Sequence, residues 1–82
     1  MLYEIYGTQN CTFCHKAKEL LMQYDKAYTF IDVGSNKDMM AAFLNRFPGT
    51  RTVPQIVLGE DHIGGYNELK NSLTLDQIES IL

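Results

Sequence analysis

The chain has 82 residues, 45% of them hydrophobic and 21% charged, with a formal net charge of −3. That length suits one domain spanning 1–82, and the composition is that of a globular chain, not a disordered or fibrous one. The acidic balance argues against the basic face of a nucleic-acid binder, and no apolar run approaches the roughly 18 residues of a membrane span. The opening MLYEIYGT lacks the basic and long apolar regions of a secretory signal, which predicts a cytoplasmic product, monomeric by default.

Leu2 to Tyr6 reads as a short strand with Tyr3 and Ile5 on one face, closed by Gly7. From Cys14 the pattern turns helical, because Ala17, Leu20, Leu21 and Tyr24 recur at i, i+3, i+4 and i+7. Lys16, Lys18, Glu19 and Gln23 make the opposite, polar face. This helix is predicted to begin close to Cys11, with the cysteine pair across its first turn. Ala27 to Val33 is β-branched and aromatic enough for a strand, ended by Gly34. Ser35 and Asp38 resemble an N-terminal capping pair, and Met40, Phe43, Leu44 and Phe47 form the apolar stripe behind them. Met39 and Met40 are assigned to the core on this spacing. Pro48-Gly49 stops the helix.

Val53 to Leu58 reads as a strand with a proline near its head, where a missing N–H is tolerable. Gly59-Glu60-Asp61 turns the chain into a brief return strand at His62-Ile63, broken by Gly64-Gly65. Thr74 with Gln77 gives a capping box for a last helix that carries Leu75, Ile78 and Leu82 inward. The order is β-α-β-α-β-β-α. The natural packing is an α/β fold, a small mixed four-stranded sheet flanked by helices.

Cys11 and Cys14 are the only cysteines, and their spacing is the most informative feature of the chain. As a structural staple, a four-residue loop would contribute only about 2 kcal/mol, against roughly 4.5 for a bridge closing most of the chain. The readings left are redox chemistry, metal binding and haem attachment. Zinc needs four ligands, or three with water; beyond the thiols the chain offers only His15 and His62, at no finger-like spacing. Cys11-Thr12-Phe13-Cys14-His15 matches the C-x-x-C-H haem string, but attachment implies export, and His15 is equally explained as an exposed first-turn residue.

Redox chemistry has the best physical case. The thiolate is the nucleophile, and the unpaired N–H groups at a helix start favour it over the thiol. Cys14, one turn further in, points at the same sulfur and is better shielded. Geometry therefore assigns Cys11 as nucleophile and Cys14 as resolver. Two further strings sit downstream. Thr52-Val53-Pro54-Gln55 reads first as a strand with an edge proline, and Gly64-Gly65 as a plain turn. The double glycine leading into Asn67, a good N-cap, also makes a backbone nest suited to a carboxylate.

With the cysteine pair at a strand–helix junction, then TVP, then GG, the sequence resembles the two-thiol class of the glutaredoxin family. The similarity runs through YGTQNCTFCHKAKELL, RTVPQIVL and HIGGYNEL. The resemblance implies a thioredoxin-like fold and thiol–disulfide exchange with glutathione as reductant and co-substrate, and no metal. It makes Cys11 the catalytic cysteine that joins glutathione and Cys14 the resolving one. It also implies a cis bond before Pro54, which frees the Val53 backbone to pair with glutathione, flanked by Thr52. Gly65, Tyr66 and Asn67 match the segment holding the γ-glutamyl end, and Glu68 takes a place usually held by an acid. Phe13 borders the same groove, and Arg51 or Arg46 would meet the glycyl carboxylate.

The sequence departs from the family at Thr12 and Phe13, where C-P-Y-C is usual, and at Thr8, where a cation is common. Implied partners are disulfide-containing proteins, with ribonucleotide reductase as one recipient of electrons. Two alternatives stand beside this reading. One is a redoxin-type reductant recharged by thioredoxin reductase, and the other is a glutaredoxin that binds an iron–sulfur cluster.

Overall fold

Seven elements follow one another in the order expected: β1 (Tyr3–Gly7), α1 (Thr12–Gln23), β2 (Tyr28–Asp32), α2 (Lys37–Arg46), β3 (Gln55–Leu58), β4 (Asp61–Gly64) and α3 (Tyr66–Ile81). The computed structural model describes residues 2–50 and 52–81, the last three of these in backbone only. The strands form one sheet in the order β2-β1-β3-β4. β1 and β2 run parallel, as a crossover through α1 requires, while β3 is antiparallel to both β1 and β4. This is the thioredoxin-like architecture that the sequence implies.

The period of two along the strands divides the core between the two faces of the sheet. Tyr3, Ile5 and Ile56 point to the face where Ala17, Leu20 and Leu21 of α1 meet Leu69 and Leu73 of α3. Tyr6 and Val57 point the other way and pack with Val33, Phe43 and Phe47 under α2. Ile5, Leu21, Ile56, Leu69 and Leu73 are almost wholly out of solvent, and each such side chain stabilises the fold by about 1.5–3 kcal/mol. Among the described residues, no helix is long and apolar enough to cross a membrane.

Five local expectations are corrected. The last helix begins at Tyr66, eight residues before the supposed cap, and Thr74 sits inside it with its hydroxyl donating to the Lys70 carbonyl at 2.8 Å. Its inward stripe is Leu69 and Leu73. Leu75 and Ile78 lie roughly 200° and 140° round the helix from Leu73, at about 100° per residue, and are accordingly exposed. Leu82 lies outside the described residues.

In α2 the cap is Asn36 rather than Ser35: its side chain accepts from the Asp38 and Met39 N–H groups. That phase buries Phe43 and Phe47 but leaves Met39, Met40 and Leu44 substantially exposed, so neither methionine belongs to the core. Pairing of β3 starts at Gln55, not Val53, because Pro54 has no N–H for the ladder and the Val53–Pro54 bond is cis, as the resemblance implied.

Candidate active site

Three chain segments meet at one end of the sheet: the start of α1, the loop before β3, and the passage from β4 into α3. Cys11 is the N-cap of α1, in extended conformation, and its sulfur accepts the Cys14 N–H at 3.1 Å. One donor that the helix leaves orphaned at its start is thereby turned onto sulfur. The Cys11 thiol in turn faces the Val53 carbonyl at 3.6 Å, as its hydrogen-bond donor. His15 closes the preceding loop through a 2.8 Å hydrogen bond between its Nε2 and the Gln9 carbonyl. His15 is exposed in the first turn of α1, where the sequence reading put it.

The two sulfurs are free and differ in environment. Cys11 is half-buried; Cys14 is fully buried against β1. Burial pushes the Cys14 thiol up to about 12, and its hydrogen bond with Cys11 adds to the rise. A Thr8 backbone hydrogen bond and the Lys18 charge pull the other way without reversing it. Near neutral pH Cys14 is therefore held as a thiol. Lys18 is itself placed by Phe30, over whose ring its Nζ sits at 3.8 Å.

Gly7 is the residue that sequence reading undervalues, giving it only the closing of β1. A Cβ there would stand 2.5 Å from the Cys14 sulfur and 3.1 Å from the Phe30 ring. The missing side chain is the space in which Cys14 sits. A glycine on a buried strand facing the cysteine helix was the available signal.

Beside Cys11 a cleft of about 200 Å3 is lined by Phe13, Thr52, Val53, Pro54, Gly65, Tyr66, Asn67 and Glu68. It gathers seven of the eight groove residues named from the resemblance, drawn from segments far apart in sequence. Arg51 lies outside the described residues. Phe13, half exposed, leans on Tyr66 at a centroid distance of 5.7 Å and carries the Lys16 ammonium 4.9 Å from its ring centre. Arg46 is already engaged: its guanidinium donates to the Tyr6 hydroxyl and lies 3.6 Å from the Glu4 carboxylate.

The Gly64-Gly65 nest differs from expectation. Asn67 is not the cap of α3; it is the second residue of the helix. Glu68, from within the first turn, reaches back to accept the Gly65 N–H at 2.8 Å, so the chain's own carboxylate occupies part of the nest. Gly64 must be glycine, since its φ is 121° and a Cβ would meet the Glu68 carboxylate at 2.9 Å. A wider depression of about 350 Å3 between Thr8–Asn10 and Asp32–Ser35 has neither cysteine among its lining residues. Among the described residues no group of three or more His, Cys, Asp or Glu is arranged to hold a metal ion.

The glutaredoxin family model matches residues 3–63. A glutaredoxin of Pseudomonas aeruginosa is 35% identical over 79 residues, covering 95% of this chain and 92% of that protein. Glutaredoxin 3 of Escherichia coli is 35% identical over 66 residues, covering 80% of this chain and 78% of its own. The crystal structure of a buckwheat glutaredoxin–glutathione complex superposes with a TM-score of 0.77 at 26% identity, over 98% of this chain and 74% of that one.

Proposed function

The chain belongs to the glutaredoxin family and is a thiol–disulfide oxidoreductase, and from that premise we propose that it reduces protein disulfides and glutathione mixed disulfides with glutathione as its reductant. The observation that carries the proposal is the Cys11 sulfur at a helix start, 3.6 Å from the Val53 carbonyl at the edge of the cleft. A sulfur so placed can bond to a second sulfur lying along the Thr52–Pro54 wall.

With a glutathionylated substrate, the Cys11 thiolate attacks the glutathione sulfur. A Cys11–glutathione disulfide forms and the substrate leaves as its thiol. The bound glutathione lies with its cysteinyl backbone along Val53, flanked by Thr52 and Phe13. Its γ-glutamyl end meets Gly65, Tyr66 and Asn67, and Arg51 receives the glycyl carboxylate. A second glutathione thiolate then attacks the sulfur of the bound glutathione, releasing oxidised glutathione and the Cys11 thiolate.

With a protein disulfide, Cys11 forms the mixed disulfide with one substrate sulfur and the other leaves as a thiol. Cys14 then loses its proton and attacks the Cys11 sulfur, so the second substrate thiol departs and a Cys11–Cys14 disulfide remains. Two glutathione molecules reduce it. Ribonucleotide reductase, in the cytoplasm, is the recipient that the family resemblance suggests.

Recharging decides the matter. The oxidised protein is offered either glutathione with glutathione reductase and NADPH, or thioredoxin reductase with NADPH. Recovery of free thiols and NADPH consumption in the first system alone is the expected result. Recovery only in the second makes the protein a redoxin-type reductant and overturns the glutathione reading.

A further inference from the structure

Gln55 is a buried polar side chain, 7% exposed at the head of β3, and a buried amide must find partners for both its ends. Its Nε2 donates to the Thr52 carbonyl at 3.1 Å and to the Thr52 hydroxyl at 3.3 Å. A carbonyl only accepts, so the amide nitrogen belongs at Thr52 and Oε1 faces His62. His62 Nε2 lies 2.7 Å from that oxygen and is therefore the donor in this bond. The His62 ring is held in turn by Phe47 at the end of α2, with centroids 4.6 Å apart.

Neither Gln55 nor His62 lines the cleft. Their bonds reach it from the opposite face of the sheet. Tying the Thr52 carbonyl back to residue 55 fixes the short loop between them, and within that loop the Val53 carbonyl faces the Cys11 thiol. We propose that Gln55, oriented by His62, is the positioning residue that holds the Thr52–Val53 backbone in register with Cys11 for docking of the glutathione moiety. The role rests on the cleft being the glutathione site.

The test uses the whole chain with a glutathionylated peptide, glutathione, glutathione reductase and NADPH, together with amide hydrogen exchange on the reduced protein. Gln55→Leu removes both ends of the relay. His62→Phe keeps a ring against Phe47 and removes the donor at an exposed position, outside the buried clusters. Gln55→Leu is expected to raise KM for the peptide about tenfold with kcat within about twofold, the size of one lost buried hydrogen bond. His62→Phe raises KM about threefold, and the double variant matches Gln55→Leu alone because the two act in series. Exchange at the backbone amides of positions 53 and 55 quickens in both single variants.

Unchanged KM and exchange in both variants overturn the assignment, as does a loss confined to kcat and melting temperature. Should the wild type fail to turn over the peptide while exchange still quickens in the variants, the glutathione reading fails and the tether stands. Should neither occur, both fail.

Discussion

Two helices open onto the same cleft, and each satisfies its first turn with one of its own side chains. α1 uses the sulfur of Cys11, its N-cap residue, on the Cys14 N–H at 3.1 Å. α3 uses the Glu68 carboxylate, reaching back to the Gly65 N–H at 2.8 Å. The carboxylate is a strong acceptor at a site of positive potential. Sulfur is a poor cap, absent from the residues that helix starts prefer. At α1 the helix end is thus capped by a sulfur, and at α3 by a carboxylate.

The largest expected effect tests the α1 half of that contrast. Cys11→Ser should abolish exchange with every disulfide substrate, yet leave the fold equally or more stable, because serine caps better than cysteine. A rise of up to about 1 kcal/mol in urea unfolding is expected. Loss of stability together with activity would mean that the sulfur is a structural cap after all. Next comes Cys14→Ser, which should lose reduction of protein disulfides while retaining turnover of glutathionylated peptide. Assaying both substrates side by side separates the two outcomes.

Gly7→Ala presses on the same pair from beneath. Its Cβ would arrive 2.5 Å from the Cys14 sulfur, and such overpacking costs about 1–3 kcal/mol. Denaturant unfolding measures that loss, and the same displacement should slow disulfide formation between the two cysteines.

The buried thiol also predicts a pH dependence. Cys14 is raised to about 12 in the folded protein, against roughly 8.5 for a free thiol in the unfolded chain. The unfolded state therefore ionises first as pH rises. The stability gained by keeping Cys14 protonated is complete below about pH 8.5 and is lost as pH climbs toward 12. The free energy of unfolding of reduced wild type should fall more steeply than that of Cys14→Ser across this range; parallel curves would refute it. The smallest effect belongs to α3. Glu68→Gln should cost under about 1 kcal/mol, read by thermal melting. Removing a negative charge from the cleft should also lower KM for glutathionylated peptide.

The order of elements, the two-faced sheet and the cysteine-bearing helix start were legible in the sequence because each rests on local periodicity. Tyr3 and Ile5 alternate with Tyr6, and Ala17, Leu20 and Leu21 repeat at helical spacing. The glutaredoxin resemblance named seven groove residues that the fold brings together. What escaped was tertiary. Nothing local distinguishes Thr74 as a cap from Thr74 in mid-helix; the phase of α3 is set by Leu69 and Leu73 finding the sheet. Met39 and Met40 share a period with Phe43, but a helix of ten residues lying on a small sheet buries only a narrow stripe. Gly7, Gln55 and His62 act through contacts between strands and helices that no single segment announces.

The seclusion of Cys14 has a bearing on how the protein meets peroxide. Oxidants of that kind take thiolates that they can reach, and a fully buried sulfur held protonated offers neither condition near neutral pH. Cys11, half-buried, is the sulfur that such an oxidant would reach first. A sulfenic acid formed there would have the Cys14 thiol one helical turn away to condense with, giving water and a disulfide that thiols can reduce.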